Sequence, residues 1–173
     1  MKKIQLLVLS ASLFTFSTLN SANAAPTGSV EFKGAIVDTL CNIVGSDIVD
    51  VALGIYPLDS LKTVGAQTTL KDVVLNLENC PASAATVTFS GTASTNPSLL
   101  AINIDGGDEA TNVAVALFEE NGTTPVPLNQ ASLSKTLADG PNTWTFKAAY
   151  QVLTTGVTTG TANATATFEI AYN

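Results

Sequence analysis

The chain has 173 residues, two cysteines, no histidine and a formal charge of −7, with 14 Asp+Glu against 7 Lys+Arg. Without histidine no Ser–His or Cys–His catalytic pair and none of the usual zinc spacings can be built. The acidic balance disfavours phosphate backbones and anionic membranes, so neither nucleic acid nor electrostatic membrane docking is expected.

The first element is a leader. Lys2 and Lys3 precede an apolar, uncharged run from Ile4 to about Leu19, and Ala22-Asn23-Ala24 follows. A positive start, an apolar middle and small residues at the last and third-last positions predict a secretory signal peptide, residues 1–24, cleaved before Ala25. A membrane anchor fits less well, because the run is rich in Ser and Thr and ends in a processing site. Cleavage leaves residues 25–173, long enough for one domain with a proper core. It also removes two lysines, leaving a charge of 5 − 14 = −9. In an exported chain the pair Cys41 and Cys80 predicts one disulfide. Closing its loop of about 40 residues restricts the unfolded state by roughly 4 kcal/mol in the chain-entropy description.

After the leader the pattern is strands and turns. Val30, Phe32, Gly34 and Ile36 alternate with Ser29, Glu31, Lys33 and Ala35. Further strands are expected over Ile48–Leu53, Thr69–Leu77, Ala85–Ser90, Leu99–Ile104, Asn112–Phe118 and Asn142–Leu153, all short runs rich in Val, Thr, Leu and Ile or alternating at period two. Asp59–Gly65 has room for one helical turn. Trp144, Phe146 and Tyr150 share one parity, which predicts inward-facing core rather than a sugar-stacking platform. The last strand is Thr161–Asn173: Ala162, Ala164, Ala166, Phe168, Ile170 and Tyr172 form one face, and Thr161, Asn163, Thr165, Thr167 and Glu169 the other. Turn clusters such as Asn96-Pro97-Ser98, Glu120-Asn121-Gly122 and Asp139-Gly140-Pro141 separate these runs. Many short strands punctuated in this way predict an all-β sandwich or barrel.

Two ends of this series need explaining. The alternating strand ahead of Cys41 stands apart from the disulfide-anchored body, and the final strand is followed by nothing that would cover its outer edge. A complete immunoglobulin-like sandwich would place a seventh strand there. Either the N-terminal strand folds back to close the sandwich, or the surplus strand of one molecule fills the deficit of the next.

Other motifs carry blander readings. Gly106-Gly107-Asp108-Glu109-Ala110 resembles the signature of cyclic-dinucleotide synthases, but in an all-β context it is expected to be a solvated turn. The same cluster lacks the spaced oxygen ligands of a dedicated calcium loop. Glu119-Glu120 points to opposite sides of a strand, wrong for a two-carboxylate hydrolase, and is expected to end a strand at the surface. Asn121-Gly122-Thr123 and Asn163-Ala164-Thr165 match the glycosylation pattern, which is frequent by chance. No catalytic residue, metal site, cofactor or small-molecule substrate is expected.

Taken together, these residues resemble the pilins of the chaperone–usher pathway, and most closely the major subunit family of type 1 fimbriae. The likeness is carried by Gly160, fourteenth from the end, by the Ala162-to-Tyr172 series with its penultimate tyrosine, and by Gly28–Val37 ahead of the first cysteine. The tract Asn142–Tyr150 and Ala162-Asn163-Ala164 add to it, so the likeness spans the chain after the leader. The resemblance implies an incomplete immunoglobulin-like sandwich, residues 38–173, lacking its C-terminal strand, and a donor-strand extension, residues 25–37. A periplasmic chaperone would first lend the missing strand. At an outer-membrane usher the extension of the next subunit would replace it, by strand addition. Gly28, Val30, Phe32, Gly34 and Ile36 would form the donor strand. Gly160, Ala162, Ala164, Ala166, Phe168, Ile170 and Tyr172 would form the acceptor side. Burying Val30, Phe32 and Ile36 would contribute about 1.5–3 kcal/mol each. Only the nine residues from Ala25 to Lys33 precede Gly34, and Pro26 cannot donate to a ladder. That length suits a minor or adaptor pilin, which stands as the alternative to the shaft subunit beside a fimbrial carbohydrate-binding adhesin.

Overall fold

A computed structural model describes residues 40–45 and 48–172. The leader and the extension, with Gly28, Val30, Phe32, Gly34 and Ile36, lie outside the described residues.

Among the described residues, eight strands and one 3-10 turn follow in chain order: β1 (Asn42–Ile43), the turn Leu58–Leu61, β2 (Lys71–Cys80), β3 (Ala84–Ser90), β4 (Leu100–Ala101), β5 (Val113–Glu119), β6 (Lys135–Thr136), β7 (Gly140–Val152) and β8 (Thr167–Tyr172). They form an antiparallel sheet of order β1-β2-β7-β5-β4 and a second of order β6-β3-β8. Alternation decides which residues meet between them. Val73, Leu75 and Leu77 of β2, Val87 and Phe89 of β3, and Trp144 and Phe146 of β7 are buried in one cluster. Phe89 meets Phe146 edge to face across the two sheets, with ring centroids 5.0 Å apart. Trp144 stacks on Phe146 at 5.5 Å and is only 3% exposed, so it is core, not a platform.

β5 is buried on both faces. Val115 and Leu117 enter the main core, while Ala114, Ala116 and Phe118 pack with Leu99 outside the sheet. Its end corrects the expectation for Glu119. β5 does end there, but Glu119 is 9% exposed, not at the surface, and its carboxylate accepts the Leu133 N–H at 2.6 Å. Glu120 is exposed.

The disulfide joins Cys41 to Cys80 with an S–S length of 2.01 Å. Near the end of β2 the register shifts between Leu77 and Cys80, and Asn79 takes φ +54°, a left-handed conformation that Asn tolerates. The bulge leaves Cys80 buried opposite Gly140.

One expected strand forms no ladder among the described residues, and two are much shorter than their patterns. Ile48–Leu53 belongs to neither sheet, although Val49, Val51 and Leu53 are half-buried and alternate with exposed residues. Of Leu99–Ile104 only Leu100–Ala101 is ladder. The C-terminal strand begins at Thr167 rather than Thr161. Alternation reports which face is apolar, whereas a strand needs a hydrogen-bonded neighbour along its whole length.

Candidate strand-acceptor groove

The C-terminal run changes partners along its length. From Thr167 to Tyr172 it pairs with β3, Ser90 opposite Thr167 and Ala85 opposite Tyr172. From Thr161 to Thr165 it leans instead on the 103–110 loop. Thr161 N–H donates to the Asp108 carbonyl at 2.9 Å, and the Thr161 carbonyl accepts Ala110 N–H at 2.8 Å. Asn103 N–H donates to the Asn163 carbonyl at 2.7 Å, and Asn103 Nδ2 to Thr165 Oγ1 at 3.1 Å.

Gly160 makes this approach possible. A Cβ there would lie 2.4 Å from the Asp108 oxygen, the Glu109 carbonyl carbon and Ala110 N, all of them backbone. Its φ of +158° is close to ordinary extended backbone, so the requirement is contact rather than torsion. Gly91 does the same at the end of β3, where a Cβ would meet Leu100 Cδ1 at 2.6 Å and the Thr165 oxygen at 3.2 Å.

The loop that receives Thr161 is itself held by Glu109. Its carboxylate accepts N–H bonds from Asp105 and Gly106 at 2.6 Å each and from Gly107 at 3.0 Å. The Asp105 and Gly107 bonds, then Gly106, hold its carboxyl below the ordinary 4.5 against opposing desolvation. The sequence Gly106-Gly107-Asp108-Glu109-Ala110 is thus a self-capped turn.

Between the run 48–53 and the run 162–168 lies a groove of about 670 Å³. Val49, Val51 and Leu53 form one bank, and Ala162, Ala164, Ala166 and Phe168 the other. Val73, Leu75, Leu117 and Tyr150 line its floor. A second chamber of about 390 Å³ continues it past Ile55, Tyr56, Val157, Gly160 and Ala162. Ala162, Ala164, Ala166, Phe168, Ile170 and Tyr172 are half-buried, and the residues between them, Ala171 included, are exposed. The banks are therefore two alternating apolar edges over the main core, with no ladder joining them among the described residues.

Of the residues expected on the acceptor side, Gly160, Ala162, Ala164, Ala166 and Phe168 line the two chambers. Ile170 and Tyr172 pack against the core beyond them. The Tyr172 hydroxyl accepts Cys41 N–H at 2.9 Å, which fastens β8 beside the disulfide. The 48–53 bank, Tyr56 and Asn103 were not singled out from the sequence as groove residues. For the bank the alternation was the available signal; for Asn103 there was none.

The sequence model of the family described as fimbrial protein matches residues 30–173. The chain belongs to the fimbrial protein family. Among its relatives, the type-1 fimbrial protein A chain of Escherichia coli is 37% identical over 99% of this chain and 98% of its own length. The fimbrial-like protein FimF of Salmonella typhimurium is also 37% identical, over 91% and 92%. The solved P pilus rod subunit PapA, 20% identical, superposes with a TM-score of 0.65 over 78% of this chain and all of that one. This fimbrial protein therefore has the pilin fold, the incomplete immunoglobulin-like sandwich expected from its sequence.

Proposed function

We propose that the chain is a structural subunit of a fimbria that polymerises by donor-strand exchange. Residues 1–24 direct export and are removed. Residues 25–37 are the donor strand, and the groove between 48–53 and 161–168 is its acceptor on a second copy of this chain. A periplasmic chaperone fills the groove first, and an outer-membrane usher exchanges that strand for the next subunit's extension. The fibre then stands on the cell surface and supports adhesion. Polymerisation in this scheme is non-covalent, and the chain acts in it as a structural protein, not an enzyme.

The observation that carries the reading is the pair of half-buried alternating banks over the main core, which no ladder joins among the described residues. A strand laid between them would cover Ala162, Ala164, Ala166 and Phe168 on one side and Val49, Val51 and Leu53 on the other. Each net backbone hydrogen bond adds about 1 kcal/mol to the gain from apolar burial. Val30, Phe32 and Ile36 offer bulk at period two for that purpose, and Gly34 offers a position without a side chain.

Deleting residues 25–36 tests the donor half. The truncated chain is expected to fold, to bind the chaperone and to form no fibres by electron microscopy. Fibres of the truncated chain would refute the assignment. The short extension ahead of Gly34 supports a second reading, an adaptor. Loss of the whole shaft on deleting the gene favours the shaft subunit; loss of the tip alone favours the adaptor.

A further inference from the structure

The two banks share no ladder, yet one set of side chains crosses between them. Tyr56 donates its hydroxyl to the Leu53 carbonyl at 2.9 Å, which fixes its ring to the N-terminal bank. Tyr150 rises from β7 and donates to the Ala162 carbonyl at 2.8 Å, which fixes its ring to the C-terminal bank. The two rings meet edge to face, with centroids 6.3 Å apart and planes at 83°. A continuous path Leu53–Tyr56–Tyr150–Ala162 thus spans the groove. It stands where the two chambers join: Tyr150 and Ala162 line both, Leu53 the larger and Tyr56 the smaller.

The bond to Ala162 falls on the edge an added strand would use. Backbone groups alternate sides along an extended chain. Thr161 N–H, the Thr161 carbonyl and the Asn163 carbonyl all turn toward the 103–110 loop, so the Ala162 carbonyl turns toward the groove. Tyr150 is also held at its own backbone. Its N–H donates to Thr68 Oγ1, and its carbonyl accepts Thr68 N–H, both at 3.0 Å. Burial, and secondarily Tyr56, raise its phenol above the ordinary 10.0, so it remains a donor throughout the physiological range.

We propose that Tyr56 and Tyr150 form a tie-bar that fixes the width of the groove at its midpoint, and so act as a positioning pair for strand capture. The capture half of this inference rests on the acceptor-groove reading above. Flanking strands in a sheet hold one another at the ladder spacing, and among the described residues no strand lies between these two banks to do so. A rigid aromatic pair anchored at both ends supplies the spacing in advance, which lowers the ordering cost paid when a strand arrives.

The test uses the full chain with Tyr56→Phe, Tyr150→Phe and the double variant, conservative changes that keep both rings. Association of a labelled peptide of residues 26–37 is followed by fluorescence polarisation, and amide exchange is followed on both banks without peptide. Each single variant is expected to slow capture about fivefold, the equivalent of one hydrogen bond. The double variant is expected to be no slower than either single, because the bar is already broken. Tyr56→Phe is also expected to speed exchange across the groove, in residues 161–166, as well as in its own bank. Unchanged capture, a double effect equal to the product of the singles, or exchange altered only in the bank carrying the substitution would each overturn the tie-bar. A wild-type chain that captures no peptide would overturn the acceptor reading instead, and cross-groove exchange would still decide the tie-bar.

Discussion

At the scale of single residues, Gly160 and Glu109 govern one junction from its two sides. Any side chain at 160 would press on backbone atoms of Asp108, Glu109 and Ala110, which no rotamer change can relieve. Gly160→Ala is therefore expected to break both Thr161 bonds and to cost about 2 kcal/mol, at about 1 kcal/mol per bond. A urea midpoint equal to that of the wild type would contradict this. Glu109 acts through charge. Its carboxyl titrates below the ordinary 4.5 in the folded chain, so its contribution is complete above that value and is lost as pH falls through the lower folded value. Acid titration followed by NMR is expected to shift the amides of Asp105, Gly106 and Gly107 together, and Glu109→Gln is expected to abolish that transition. A transition that survives Glu109→Gln would assign it to another carboxylate.

At the scale of elements, the patterns that read correctly were those with a partner on both sides. β2, β3, β5 and β7 fall where alternating Val, Leu, Phe and Trp placed them, because ladder and core agree there. The turn Leu58–Leu61 overlaps the helical turn expected over Asp59–Gly65. The runs 48–53 and 161–166 misled in a useful way. Their apolar parity was legible, but whether a neighbouring strand lay beside them depends on topology, which period-two alternation does not encode. Gly160 was legible only as part of a resemblance; its physical reason, the approach of residues 108–110, needed coordinates. Glu119 read as surface because its partner, Leu133 N–H, is 14 residues away. Two element-level outcomes follow. Phe146→Ala, at the centre of the buried face of β7, is expected to cost about 3–5 kcal/mol in urea unfolding. Reducing Cys41–Cys80 is expected to remove up to roughly 4 kcal/mol and to impair folding before chaperone capture. Free thiols in the assembled protein would contradict a structural role for that bond.

At the scale of the whole molecule, the proposed function assigns both halves of an interaction to one chain: an acceptor groove over its core and a donor segment ahead of Cys41. Such complementarity would make a heterologous, head-to-tail contact that propagates instead of closing. The most direct test separates the halves. A chain lacking residues 25–36 keeps only the acceptor. A chain with Ala164→Trp, which fills the groove at a half-buried bank position, keeps only the donor. Light scattering after size-exclusion chromatography is expected to find neither variant forming fibres, and their equimolar mixture forming a heterodimer and nothing longer. Fibres from either variant alone, or no heterodimer from the mixture, would contradict strand exchange through this groove.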